Sequence, residues 1–178
     1  NSLGDEVYVE DVILAPFSQV HIDASYYLAA GESGVAMLTP YDYDLVGYVE
    51  SGFYHLTAAG SVSTAYFGNS RQPSLNPKWN SWNMFLDQAN WFRLSNLGDY
   101  ETIAVLKVYN NAFGLVSELT YGLGAYQTVD IPVHNLLGAV GDGYGMISLE
   151  SPGGVNADLL RTKTDGANWD FITMSPVM

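Results

Sequence analysis

The residues of this chain with the clearest capacity for chemistry are aspartates placed in predicted loops. Asp42 and Asp44 would share one face of an extended segment, whereas Asp130 and Asp142 flank a glycine-rich loop further along the chain. Calcium takes six to eight oxygen ligands, and loops between strands can supply them. Because the spacing is not that of an EF-hand, two alternatives remain. Either these four carboxylates bind calcium, or they belong to acidic loops that contact only water.

A catalytic centre is not predicted. The sequence contains no Gly-x-Ser-x-Gly nucleophile motif, and no lysine follows the glycine-rich residues 141–145 as it would in a phosphate-binding loop. His21, His55 and His134 are isolated from one another, which favours hydrogen-bonded or surface histidines over a zinc site. Paired carboxylates hydrolyse glycosides in many enzymes, but 19 acidic residues produce such pairs by chance. We therefore expect a protein that is not an enzyme, with calcium as its one candidate cofactor.

Tryptophans give the chain a second kind of binding chemistry. Trp79, Trp82, Trp91 and Trp169, together with nearby tyrosines, are candidates for stacking on sugar rings while Asp and Asn side chains bind the hydroxyls. Such a platform must be exposed, so burial of these rings would remove the main support for sugar binding. A carbohydrate-binding module is the alternative function that the sequence predicts.

Composition restricts the partners. The chain has 178 residues, 48% of them hydrophobic, which is far from the composition of a disordered protein. Its 6 basic and 19 acidic residues give a formal net charge of −13, so neither nucleic acid nor anionic lipid is an expected partner. The absence of cysteine excludes disulfides and thiolate metal sites. No run approaches the roughly 18 apolar residues of a membrane span, so membrane insertion is not expected.

Residues 84–178 have the pattern of one complete β-sandwich unit. Residues 102–109 are rich in β-branched residues and, if extended, place Thr102, Ala104, Leu106 and Val108 on one face, which predicts a strand. Further strands are predicted over 115–121, 127–133, 146–150 and 155–162, with Asn-, Gly- and Pro-rich turns between them. Pro132 cannot donate to a ladder, so its strand is predicted at a sheet edge. Short strands at this spacing are typical of a sandwich or barrel.

The start of the chain repeats part of this unit. Residues 14–28 align with residues 123–137 without a gap, and four apolar positions are identical: Leu14 and Leu123, Val20 and Val129, Ile22 and Ile131, Leu28 and Leu137. Residues 7–13 are predicted to match the strand at 115–121. We therefore predict a truncated sandwich repeat over 1–67, a connector rich in Pro, Trp and Asn over 68–83, and a complete repeat over 84–178.

The truncated repeat is expected to lack its first two strands, because it starts at the turn between its second and third strands. A sandwich without two strands exposes an apolar face and a bare sheet edge. Three alternatives follow. The missing strands lie upstream in a longer polypeptide, another molecule supplies them by strand addition, or the first copy is a smaller fold.

The complete unit also resembles a known family. Residues 91–97, the Val-x-Val-Tyr-type strand at 105–109, the Val-Asp-Ile of 129–131, and residues 145–151 with the Pro-Gly that follows are similar to tandem β-sandwich repeats of exported bacterial cell-surface proteins. This resemblance implies a structural or adhesive role outside the cell, and it implies no catalytic residues.

The predicted fold is therefore all-β, with two related antiparallel β-sandwich (Ig-like) units in tandem. The predicted function is that of a non-catalytic extracellular module, part of a surface protein or a filament assembled by β-strand contacts. Its expected partners are other copies of the chain or adjacent repeats of the same polypeptide, with carbohydrate as the alternative ligand.

Overall fold

A computed structural model describes residues 1–29, 32–37, 50–56, 59–60, 62–69, 78–137, 143–152, 154–165 and 168–176. Ten strands lie in this part of the chain: β1 (Glu50–Leu56), β2 (Val62–Asn69), β3 (Lys78–Asn83), β4 (Ala89–Asn96), β5 (Thr102–Asn110), β6 (Leu115–Leu123), β7 (Thr128–Pro132), β8 (Tyr144–Glu150), β9 (Val155–Asp165) and β10 (Asn168–Pro176). Helical structure is limited to 3-10 turns at Ala24–Tyr26 and Phe85–Asp87 and one α-helical turn, α1, at Val133–Leu136. No helix in the described ranges is long and apolar enough to cross a membrane.

The strands form three antiparallel sheets. β1 and β2 make a hairpin, and two four-stranded sheets have the orders β10-β9-β4-β7 and β3-β8-β5-β6. We call these the β4 sheet and the β5 sheet. The all-β prediction is confirmed, and the predicted strands over 102–109, 115–121, 127–133, 146–150 and 155–162 correspond to β5 to β9. β7 lies at a sheet edge and ends at Pro132, as the missing proline N–H predicts.

One hydrophobic core holds side chains from both four-stranded sheets. Burial alternates along β4 and β5, since successive side chains of a strand point to opposite faces. The β4 sheet contributes Phe92, Leu94, Ile131, Val155, Ala157 and Leu159, and the β5 sheet contributes Trp82, Ala104, Leu106, Val108, Leu123, Ile147 and Leu149. The inward faces of the two sheets therefore bury the alternating apolar residues that the sequence presents.

β3 differs from the sequence-based expectation. The connector predicted over 68–83 includes residues 78–83, but they form a strand paired with β8. The Nε1 of Trp82 donates to the carbonyl of Tyr109 at 2.9 Å. The Nδ2 of Asn80 donates to the hydroxyl of Ser175 in β10 at 3.1 Å, which joins the edges of the two sheets. The apolar and polar residues of this segment alternate only weakly. These polar contacts and the burial of Trp82 stabilise it as a strand.

Residues 7–13 also differ from expectation. They form no helix and no ladder with any described residue, whereas the sequence predicts a strand there. A strand needs a partner for its N–H and C=O groups. The loop just before this segment lies against β7: the carbonyl of Ser2 accepts from the N–H of Thr128 at 3.1 Å and so covers part of the β7 edge.

Candidate functional site

The same local conformations recur at a fixed interval along the chain, first in a loop. The Oδ1 of Asn1 accepts from the backbone N–H groups of Leu3 and Asp5 at 3.1 and 3.0 Å. The Oδ1 of Asn110 accepts from the N–H groups two and four residues on, each at 2.9 Å. An Asn side chain therefore closes the same turn at both places. We call the interval in sequence from Asn1 to Asn110 the repeat interval.

The second recurrence is a turn with an unusual backbone. Phe17 and Tyr126, which are separated by the repeat interval, have φ values of 61° and 56°, and non-glycine residues with positive φ are uncommon. The N–H of Ser18 donates to the carbonyl of Ala15 at 3.0 Å, and the N–H of Gln127 donates to the carbonyl of Gly124 at 3.2 Å. Each turn therefore has an equivalent backbone hydrogen bond and an aromatic residue at positive φ.

The recurrence continues beyond these turns. The helical turns Ala24–Tyr26 and Val133–Leu136 begin one repeat interval apart. After each comes an antiparallel hairpin, β1–β2 or β9–β10, with a bulge near its tip. Residues 1–29, the first segment, thus repeat the turns of residues 110–137, the second segment, although the part of the first segment that corresponds to β6 and β7 forms no strand.

Exposure is where the two segments differ. The Leu14 side chain is 42% exposed and that of Ile22 is 57% exposed, whereas the matching Leu123 and Ile131 are 0% and 2% exposed. Leu123 pairs with Thr102 of β5, and Ile131 pairs with Phe92 of β4. In the second segment these residues therefore extend the two sheets beside β5 and β4, and their side chains enter the shared core. The described part of the chain places no such strand pair against residues 14–22.

We define the exposed row as Leu14, Phe17, Val20 and Ile22. Each of these side chains has a large exposed fraction, and further exposed apolar residues lie nearby in the sequence: Leu3, Val7, Tyr8, Val9, Ile13, Tyr26 and Met37. Large exposed apolar patches mark interaction sites. The exposed row is the candidate functional site of this chain.

A buried asparagine shows which polar contacts accompany burial in the second segment. The Nδ2 of Asn96, at the end of β4, donates to the carbonyls of Tyr100 and Gly124, both at 2.8 Å. Its Oδ1 accepts from the N–H of Gly98 at 3.0 Å, and its own N–H donates to the carbonyl of Gln127 at 2.9 Å. The N–H of Tyr126 in turn donates to the carbonyl of Gly98 at 3.1 Å. Asn96 thus joins the β4–β5 connection to the turn that holds Tyr126.

Sequence reasoning missed Asn96. One signal could have identified it. Residues 96–98 form an Asn-x-Gly sequence directly after a predicted strand, and an Asn side chain often closes a turn of this kind.

The predicted tryptophan platform is divided. Trp79 is 39% exposed, with its ring centroid 5.7 Å from that of Tyr109, and lies in the β5 sheet. Trp91 is 36% exposed and lies in the β4 sheet, with the ring of His134 edge-on at 5.2 Å. Trp82 is only 2% exposed and belongs to the core, so it cannot stack on a sugar. The side chain of Trp169 lies outside the described residues.

Of the four predicted calcium ligands, Asp130 is the one within the described residues. Both carboxylate oxygens of Asp130 accept from Arg93, at 2.7 Å from Nε and 2.7 Å from the terminal nitrogen. A guanidinium bound in this bidentate way occupies the oxygens that a cation would need. Asp42, Asp44 and Asp142 lie outside the described residues. Within the described ranges, no three His, Asp or Glu side chains converge on a metal site.

Comparisons with known proteins add little to this geometry. No family model matches the chain, and no curated protein matches it. Among solved structures, the crystal structure of Thermotoga maritima 1070 matches with a TM-score of 0.47 and 12% sequence identity, over 58% of this chain and 93% of that one. A likeness this distant carries no functional information.

Proposed function

We propose that this chain is a non-catalytic structural or adhesive module made of two related sandwich units, the first of which is completed by strands from a partner. The observation that carries the proposal is the exposure of Leu14 and Ile22, whose counterparts Leu123 and Ile131 are buried in the core, in strands paired with β5 and β4. Burying an apolar side chain of this size is worth about 1.5–3 kcal/mol, so the exposed row favours association. The resemblance to repeats of exported cell-surface proteins supports a location outside the cell.

Self-association of the full chain tests this function. We expect the protein to associate as its concentration rises, and Ile22→Asp to weaken the association at least about ten-fold, because a carboxylate in the row would be desolvated on docking. Sedimentation velocity over a concentration series measures the effect.

Ile103→Asp is the matched control, because Ile103 is an exposed isoleucine at the outer surface of β5, away from the row. The same weakening in both variants would mean that added charge alone acts, and a strictly monomeric wild-type chain would contradict association through copies of itself.

A sugar site on the β5 sheet is the second candidate function. Trp79 lies across from Ser148 in the β3–β8 register, and Tyr109 contacts the same ring. The half-exposed indole of Trp79, next to Tyr109, offers an aromatic surface of the kind that stacks on sugar rings.

Trp79→Ala tests the sugar site. If the site exists, the variant loses at least about ten-fold in affinity for a retained polysaccharide in affinity electrophoresis, because the stacking surface is removed. Trp91→Ala is the control, since that ring is equally exposed but lies on the other sheet. Equal losses of affinity in the two variants would contradict this candidate function. So would a wild-type chain that no polysaccharide of a diverse panel retains.

A further inference from the structure

We infer that the occupant of the exposed row is an antiparallel strand pair with the chemistry of β4–β5, whose first strand carries the pattern aromatic-x-Leu-x-Asn-x-Gly. This inference rests on the proposed function and names the partner that it requires. Its basis is the correspondence of the turns in residues 1–29 and residues 110–137, because the second segment shows which strands pair with such a segment.

The apolar part of the pattern follows from register. Phe92 pairs with Ile131 and Leu94 pairs with Val129 in the β4–β7 ladder. One repeat interval before Ile131 and Val129 stand Ile22 and Val20. An aromatic residue opposite Ile22 and a leucine opposite Val20 would therefore reproduce the burial that Ile131 has.

The polar part follows from the shared turn. In the second segment, Asn96 and Gly98 bind the carbonyls of Gly124 and Gln127 and the N–H of Tyr126. The equivalent groups are the carbonyls of Ala15 and Ser18 and the N–H of Phe17, in a turn of the same backbone conformation. Since buried backbone groups must be hydrogen-bonded, the docking strand needs an asparagine two residues after its leucine, followed by x-Gly.

Charge adds a constraint on the occupant. Residues 1–37 contain no Lys or Arg and six acidic residues: Asp5, Glu6, Glu10, Asp11, Asp23 and Glu32. A strongly acidic partner would be repelled. The β4–β5 stretch, residues 89–110, balances Arg93 and Lys107 against Asp99 and Glu101, so a segment of this composition is tolerated beside the row.

One position of the docking strand, the one equivalent to Arg93, need not match β4. Asp130 binds Arg93, and its counterpart one repeat interval earlier is His21. The docking strand therefore gains nothing from an arginine opposite His21. We expect an uncharged or acidic residue there, so the occupant resembles β4 without being identical to it.

The repeat interval shows where an added strand pair should be joined to test this inference. Because Asn1 corresponds to Asn110, a second copy of residues 84–109 joined directly ahead of Asn1 supplies the missing strand pair without a linker. Hydrogen exchange by mass spectrometry then follows the amides of residues 14–22 in the full chain with and without the added copy. Exchange there is expected to slow at least about 100-fold, because ladder and turn N–H groups become protected.

The control carries Leu94→Asp and Asn96→Ala in the added copy alone, leaving the resident sandwich intact. We expect no slowing at residues 14–22 in this control. Unchanged exchange in the unaltered fusion, while the resident β4 and β5 stay protected, would overturn the inference. Equal slowing in fusion and control would also overturn it, since strand addition would then not depend on the pattern.

A peptide of residues 84–110, added in trans to the unmodified chain, keeps the test open if the fusion misfolds. Slowed exchange at residues 14–22 supports the inference, and unchanged exchange at millimolar peptide counts against it. The proposed function can fail separately. If Ile22→Asp weakens association but neither fusion nor peptide protects the row, the partner has other chemistry and the association stands; if association is absent as well, the proposed function fails.

Discussion

Asn96→Ala is expected to lower the free energy of unfolding of the sandwich by about 3 kcal/mol, because it removes three hydrogen bonds made by a fully buried side chain. These bonds go to the carbonyls of Tyr100 and Gly124 and to the N–H of Gly98. A hydrogen bond contributes about 1 kcal/mol on average. Urea denaturation followed by tryptophan fluorescence measures the loss.

Asn135→Ala is the control for this change, since Asn135 is an exposed asparagine in α1 and an exposed substitution typically changes stability by less than about 0.5 kcal/mol. Asn96→Asp separates the contributions: it keeps the acceptor for Gly98 but loses the amide that donates to two carbonyls. If Asn96→Ala unfolded at the wild-type midpoint, the role given to this residue in joining β4–β5 to the turn would be wrong, and the inferred pattern would lose its asparagine.

Gly145→Ala is expected to destabilise the sandwich by about 3 kcal/mol, because there is no room for a side chain. Gly145 lies in β8 between Trp82 of β3 and Asn110 of β5. A Cβ at this position would stand 2.0 Å from the carbonyl oxygen of Tyr109 and 2.9 Å from the Trp82 ring. The Tyr109 carbonyl is also the acceptor for the Trp82 indole N–H, so both the backbone and the core must shift.

Gly122→Ala is the matched control in the same sheet. A Cβ there would meet nothing closer than the Glu101 carboxylate at 3.9 Å, and replacing a glycine inside a strand reduces the entropy of the unfolded chain. We expect it to be neutral or slightly stabilising. Near-ultraviolet circular dichroism should change in Gly145→Ala as the environment of Trp82 changes. Equal unfolding midpoints for the two variants would contradict the packing described for β8.

The sequence alone predicts the strands whose alternation is strong. β5, for example, places small and branched apolar residues at every second position, and a period of two has no other common structural meaning. The sequence predicts β3 as part of the connector, because its residues are Lys-Trp-Asn-Ser-Trp-Asn and only Trp82 is an apolar residue on its inward face. Contacts with β8 and β10, which are remote in sequence, make it a strand.

The candidate sites also depended on contacts between residues that are remote in sequence. Trp79 and Trp82 are three residues apart, so a strand directs them to opposite faces, and one ring is exposed while the other lies in the core. The ion pair between Arg93 and Asp130 joins residues 37 positions apart in the chain, and only the β4–β7 register brings them together. Neither the division of the tryptophans nor the use of Asp130 as a partner for arginine follows from composition or spacing.

The sequence by itself determined the recurring turns. An asparagine closing a loop, an aromatic residue at positive φ and a helical turn depend on residues within a few positions of one another, so the local sequence is sufficient to specify them at both ends of the repeat interval. The tertiary structure decided which apolar residues are buried. Leu14 and Leu123 are the same residue in the same local context, yet one is half exposed and the other is fully buried. Burial depends on the strands around a residue, and of these two only Leu123 is in a strand paired with β5, with its side chain in the shared core.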